Sequence, residues 1–195
     1  MSARMEPSLR KASPAPPGQR VVAQLPVQHI GELPDVRGER FRLALSGEVA
    51  EPHVFELEEL VALSTTVLHA DFHAGSGWSV LGLEWKGVRL ADLLALAQPS
   101  AEARFVRFGD GALYDASLTL ADALAPDVLV ATQLGGAALT LEHGAPARLV
   151  VPAKYGYKSV KWLRSIEVRR DDPQGFWERR GVHSGANPWR EERFA

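Results

Sequence analysis

Along this chain apolar positions recur mostly at intervals of two, in short runs cut by glycine, proline or charge. Phe41, Leu43 and Leu45 alternate with Arg42, Ala44 and Ser46 and stop at Gly47, the pattern of a strand with one buried face. Thr65 to Phe72 and Val128 to Gln133 also read as strands. Arg104 to Phe108 and Leu113 to Leu118 flank Gly109-Asp110-Gly111 as a hairpin. Two stretches change period. Leu57, Leu60, Val61 and Leu63 fall at helical spacing within Phe55 to Leu63, with acidic residues toward the start where they complement the helix dipole. Leu90, Leu93, Leu94 and Ala97 share one face over Arg89 to Ala97. Thr119 followed by Asp122 has the form of an acidic capping box for one helical turn, and Gly135-Gly136 permits a tight reversal. Lys161 to Arg169 is expected as the last strand. Short strands outnumber helices, with no βαβα alternation and no internal repeat, so a mixed α+β domain is expected.

With 195 residues, 46% of them hydrophobic, the chain has material for one core and leaves no room for a second domain of ordinary size. Residues 1–20, rich in serine, alanine and proline, are expected as a flexible tail. Residues 21–195 are expected as the domain, with 171–195 wrapping across it and inserting Phe176, Trp177 and Trp189. A net charge of −2 argues against general binding to nucleic acid or an anionic membrane. Any anion site must therefore be local. The sequence contains no cysteine, which excludes disulfides, thiolate zinc sites and thiol nucleophiles. The first twenty residues carry no apolar stretch of seven, and no run approaches a membrane span, so a soluble cytoplasmic protein is expected.

The chemistry concentrates in His143 to Trp162. Leu149-Val150-Val151-Pro152 suits a strand entering the core and stopped by proline. Arg148 precedes it, and Lys158, Ser159 and Lys161 follow. If the chain turns back at Ala153 to Gly156, a guanidinium, a hydroxyl and at least one ammonium converge on one pocket. An arginine fork reads two phosphate oxygens in one plane, while lysine adds a mobile point charge and serine a short donor. The alternative is a solvated basic edge, since Lys154, Lys158, Lys161, Arg164, Arg169 and Arg170 are close in sequence.

The stretch HGAPARLVVPAKYGYKSVKWLRSIEV (143 to 168) resembles the closing cofactor segment of the sulfite oxidase-like molybdopterin oxidoreductases. LPVQHIG (25 to 31), DFHAGSGWSVLGLEWKGVRLADLL (71 to 94), ARFVRFGDG (103 to 111) and FWERRGVHSGANPW (176 to 189) read the same way, in family order. The resemblance implies the α+β molybdopterin-binding fold of that family, with mixed sheets and short helices, but without the dimerisation domain of sulfite oxidases proper. It implies a molybdopterin cofactor carrying molybdenum, oxygen-atom transfer on a small-molecule substrate, and a separate electron-transfer protein. Cofactor contacts are implied at His73, Asp110, His143, Arg148, Ser159, Val160 and Lys161.

One position departs from the pattern. Where the family has a cysteine whose thiolate binds molybdenum, this chain has Ala74, and a methyl group ligates nothing. Three readings follow: the pterin binds with water or hydroxide at the vacated metal position; Ser76 or His73 supplies a ligand; or the chain keeps the fold without the redox chemistry. Single residues also have plainer readings. His73 suits a satisfied core histidine, Asp110 suits a hairpin turn, and Trp78, Trp85 and Trp162 suit core or pocket walls, where an indole N–H usually finds a partner. His69 and His73 have helical metal-pair spacing, but the residues around them deny the helix. Gly75-Ser76-Gly77 is not a nucleophile elbow. Nucleic-acid binding through 154 to 170 remains a separate alternative.

Overall fold

The computed structural model describes residues 15–35 and 40–194, and folds them into two sheets with three short helices. In chain order the elements are β1 (Arg20–Val21), β2 (Arg42–Gly47), β3 (His53–Glu56), α1 (Leu57–Leu63), β4 (Thr66–His73), β5 (Trp78–Arg89) and α2 (Leu90–Ala97). There follow β6 (Phe105–Gly109), β7 (Asp115–Thr119), α3 (Leu120–Ala123), β8 (Leu129–Leu134), β9 (Ala137–Ala138), β10 (Arg148–Val150) and β11 (Ser165–Arg169). The expected mixed α+β architecture is present.

The first sheet runs β1-β5-β8-β10, with β4 also on β5 and β9 on β8. The second runs β3-β2-β11-β6-β7, parallel only where β11 meets β2. Alternation placed β2 correctly because Leu43 and Leu45 point into the core while Arg42 and Ser46 face out. The hairpin is β6 on β7, with Phe108 opposite Ala116, and Thr119 Oγ1 caps α3 by accepting from Asp122 N at 3.1 Å. The larger core cluster joins the second sheet to α1 and α2 through Phe55, Leu60, Leu93, Phe108 and Ile166; a second cluster holds Phe72, Trp78, Trp85 and Val150.

Several boundaries differ from the sequence reading. Phe55 and Glu56 belong to β3, since they pair with Leu43 and Arg42, and the helix starts only at Leu57. The twelve-residue β5 is absent from the alternation because it carries Gly82 and Gly87. At Gly87 a side chain would stand 2.2 Å from the Val130 carbonyl, so glycine is what lets β8 approach. The last strand begins at Ser165 and excludes Lys161 to Arg164, because Trp162 takes a left-handed backbone with φ of 52°. Of the tail expected over 1–20, residues 1–14 lie outside the described residues. The following stretch is tied down: Arg20 pairs with Trp78, and Gln19 bonds the Ala74 carbonyl at 3.1 Å.

The chain after Asp171 crosses the domain and is pinned by charge. Lys158 is buried against Glu178, with 1% and 3% of the two side chains exposed, and it also donates to Ser117 O at 2.8 Å. Phe176 is buried, Trp177 half-buried, and Trp189 exposed with its edge toward His73. Lys158 is thus spent on holding the C-terminal segment.

Candidate functional site

Where β10 leaves the first sheet, the fold opens a cleft of about 630 Å³. Strand β10 supplies Arg148, the loop after it supplies Ser159 and Lys161, the turn after β4 supplies Ala74 to Ser76, and the segment before β10 supplies His143. The convergence expected of Arg148, Ser159 and Lys161 is therefore realised, with His143 and Asp110 on the same cleft.

Arg148 is 2% exposed, and among the described residues no carboxylate pairs with it. Its guanidinium instead donates to the carbonyls of Leu149 (3.4 Å), His143 (3.1 Å) and Ser159 (3.0 Å), and lies over the rings of Phe72 and Trp85 at 5.4 and 5.3 Å. Burial alone pushes its pKa down to about 10. Lys161 Nζ donates to Glu142 O at 2.6 Å and lies 5.7 Å from the Trp162 ring; burial, then the Arg148 charge, lowers it to about 8. Two cations share a partly dry wall, and among the described residues only the Glu142 carboxylate, acting on Lys161, offsets their charge. Gly144, at φ +103°, lets them meet: a Cβ there would sit 3.0 Å from Lys161 Cβ and 3.1 Å from Arg148 Cβ.

The donor inventory shows what is left for a ligand. A guanidinium has five N–H groups and Arg148 spends three; an ammonium has three and Lys161 spends one. Ser159 Oγ accepts from Val151 N at 3.0 Å, so its own proton is free to donate. His143 Nδ1 is buried without a partner, and burial followed by Lys161 and Arg148 lowers the pKa of its ring. Asp110 Oδ1 accepts from Ala112 N and Tyr114 N at 2.8 and 3.0 Å, so turn geometry explains it although it reaches the cleft.

Two expected contacts are not brought to the cleft. His73 Nδ1 lies 2.8 Å from Ser79 Oγ, and that hydroxyl donates to Gln19 Oε1 at 3.1 Å, so Nδ1 carries the proton and the ring belongs to a buried relay away from the cleft wall. Desolvation lowers its pKa, as for a satisfied core histidine. The Val160 side chain is fully buried in the larger core cluster, and only its carbonyl is used locally, by Leu149 N at 2.8 Å. Trp78, Trp85 and Trp162 are all buried, as expected of walls. Trp162 Nε1 donates to Leu141 O at 2.7 Å, whereas the indole nitrogens of Trp78 and Trp85 lack the partner expected for them.

The cleft also takes residues that sequence reasoning did not single out. Tyr114, Tyr157 and Trp177 form an aromatic wall, locked by Tyr114 OH donating to Tyr157 O and Tyr157 OH to His183 O, both at 2.6 Å. Burial, with Glu178 next, raises the pKa of both tyrosines. Arg193 lines the cleft and donates to Tyr155 OH at 3.0 Å and Gly18 O at 3.3 Å. Tyr157, Trp177 and the neighbouring Gln28 and His29 sit in stretches that carried the family resemblance, so the signal lay in the segments and not in any single residue type.

A phosphorylated pterin fits one part of this site and not another. The unpaired buried guanidinium, the orphaned His143 Nδ1 and the approach at Gly144 suit an organophosphate. At the metal end Ala74 offers a methyl group, 4% exposed, and among the described residues no group of three His, Cys, Asp or Glu could hold a metal. Ser76 lines the cleft, exposed and 3.3 Å from Gln28, whereas His73 is held away from it by Ser79. No helix among the described residues is long and apolar enough to cross a membrane.

Comparison with known proteins assigns the family. The chain is 37% identical over 180 residues to an uncharacterized oxidoreductase, YuiH, of Bacillus subtilis, covering 92% of this chain and 91% of that protein. It is 30% identical to the catalytic subunit MsrP of the protein-methionine-sulfoxide reductase of Campylobacter jejuni, over 77% of this chain and 58% of the relative. Among solved structures the sulfane dehydrogenase SoxCD of Paracoccus pantotrophus superposes with a TM-score of 0.59 at 29% identity, covering 67% of this chain and 38% of that one. Against these last two the chain spans well under two thirds of the relative's length. The family described as the oxidoreductase molybdopterin binding domain matches residues 30–177, and the chain belongs to it.

Proposed function

We propose that this chain is a molybdopterin-dependent oxidoreductase of the sulfite oxidase-like type, acting by oxygen-atom transfer on a small substrate at a molybdenum centre without the usual protein thiolate. The observation that carries the cofactor reading is Arg148: a guanidinium buried at 2% exposure with no carboxylate beside it among the described residues, on the wall of a cleft of about 630 Å³. Keeping such a charge unpaired is costly, and a phosphate removes the cost.

Each residue then has a definite task. Arg148 offers two free N–H groups and Lys161 two more, so the pair grips phosphate oxygens from two directions. Ser159 adds a hydroxyl donor, and neutral His143 adds a ring nitrogen able to take a proton as the dianion arrives. Tyr157, Trp177 and Trp162 exclude water and hold the plane of a heteroaromatic ring. When bound, the cofactor would supply a metal that changes by two electrons and moves an oxygen atom, the part of the chemistry no side chain can perform. Electrons would pass to or from a separate protein, because a sequence without cysteine offers no iron–sulfur ligands. We place this activity in the cytoplasm.

Titration with a fluorescent pterin phosphate and with its dephosphorylated form tests the binding. The expected result is tight binding of the first, with at least a hundredfold loss for the second; equal affinity would reject the phosphate clamp. A second reading, cofactor binding without turnover, is favoured by Ala74. Replacing Ala74 with cysteine separates the two. A large gain in metal retention and turnover marks the native site as degenerate, whereas native turnover with no gain marks an unusual ligand set.

A further inference from the structure

Nothing in this chain can fasten a pterin-borne metal through a thiolate. There is no cysteine in the sequence, Ala74 turns a methyl group to the cleft, and no trio of ligating side chains stands together among the described residues. Nor is the turn at Ala74 slack enough for a neighbour to slide in. Ala74 N donates to Trp78 O at 2.8 Å, and Ala74 O accepts from Gly77 N at 3.0 Å and from Gln19 Nε2 at 3.1 Å. What remains to hold a cofactor is the cradle of Arg148, Lys161, Ser159 and His143 with the aromatic wall of Tyr157, Trp177 and Trp162, none of it a bond to the metal.

Holding of that kind has two consequences. Charge pairs at an open cleft weaken as salt rises, those of half-buried Lys161 more than those of buried Arg148, and the lifetime of the complex is set by contacts that break one by one. The way out is also open. Val27 and Phe194, 50% and 79% exposed, both line this cleft, so a ligand can leave without unfolding its wall. We propose that the cleft holds its phosphorylated pterin untethered and releases it reversibly, so that the cofactor exchanges with solution between turnovers instead of staying resident. This rests on the reading above that the cleft binds the pterin.

The test uses protein purified from a host that makes the cofactor, dialysed at low and at high salt. Pterin released as its fluorescent oxidised derivative and molybdenum retained are followed over time, for the native chain and for Ala74→Cys. The expected result is loss of pterin from the native protein that speeds up at least tenfold between low and high salt, with at least tenfold longer retention of molybdenum and pterin in A74C. Salt-independent retention by the native chain over days, or equal retention in both proteins, overturns the exchange while leaving the binding intact. If neither protein carries pterin as purified, the binding reading itself fails and the exchange with it. Should A74C not fold, the salt dependence of the native protein decides alone.

Discussion

Replacing Arg148 with methionine keeps most of the stem and removes the charge, and the structure sets opposing terms for the outcome. Burial brings the guanidinium from its ordinary value down to about 10, which at 1.36 kcal/mol per pH unit corresponds to about 3 kcal/mol against the charged form in the empty protein. Removing it also leaves the carbonyls of His143 and Ser159 without this donor, at about 1–3 kcal/mol each. These oppose each other, so urea unfolding of the empty R148M protein should fall between about 1 kcal/mol above and about 3 kcal/mol below the native value. Phosphate binding has no such compensation. Truncating one member of a buried hydrogen-bonded charge pair costs about 2–5 kcal/mol, a loss of roughly thirtyfold to several thousandfold in affinity for a pterin phosphate by calorimetry. An R148M protein that loses more than about 4 kcal/mol of stability and still binds the phosphate with native affinity would show that Arg148 serves the fold and not the ligand.

Three further outcomes follow from the same geometry. The folded pKa of Lys161, about 8, lies below its ordinary 10.5, so between these values the unfolded chain holds the extra proton and stability of the empty protein should rise with pH relative to Lys161→Met. Over the same window affinity for pterin phosphate should fall by about tenfold or more as the ammonium is lost; a flat difference in both thermal unfolding and binding would contradict this. Gly144→Ala places a methyl group 3.0 Å from Lys161 Cβ at a φ of +103°, and should cost about 1–3 kcal/mol in chemical denaturation and loosen phosphate binding with it. Glu178→Ala strands the buried Lys158 ammonium and should cost about 3–5 kcal/mol, with faster hydrogen exchange around Phe176 to Val182; the paired change Lys158→Met with Glu178→Leu should recover most of the loss.

Local rules reached the elements whose neighbours agree with them. β2 and the β6–β7 hairpin show one buried face and one wet face, so alternation found them. β5 defeats the same rule because its glycines answer to tertiary contact, Gly87 to the carbonyl of Val130, which no window of sequence contains. Phe55 and Glu56 carry a helical spacing yet pair with β2, a case of sheet pairing overriding period. At the site, Arg148, Ser159 and Lys161 were legible because their chemistry and their closeness along the chain both point to an anion. His73 was not, since the direction of its ring depends on Ser79 and on Gln19, sixty residues from that serine. Arg193 reaches the cleft on the C-terminal segment, which Glu178 pins to Lys158, while Tyr114 comes from the β6–β7 hairpin and Tyr157 from the loop after β10, where no short window of sequence joins them.

The buried Arg148 and the neighbouring Lys161 serve, on this reading, to hold a phosphorylated pterin. Purifying the protein from a host that makes the cofactor, at low salt, and measuring bound pterin per chain tests it most directly. Close to one pterin per chain is expected, reduced to background by Arg148→Met. Clean, folded native protein with no pterin would contradict it.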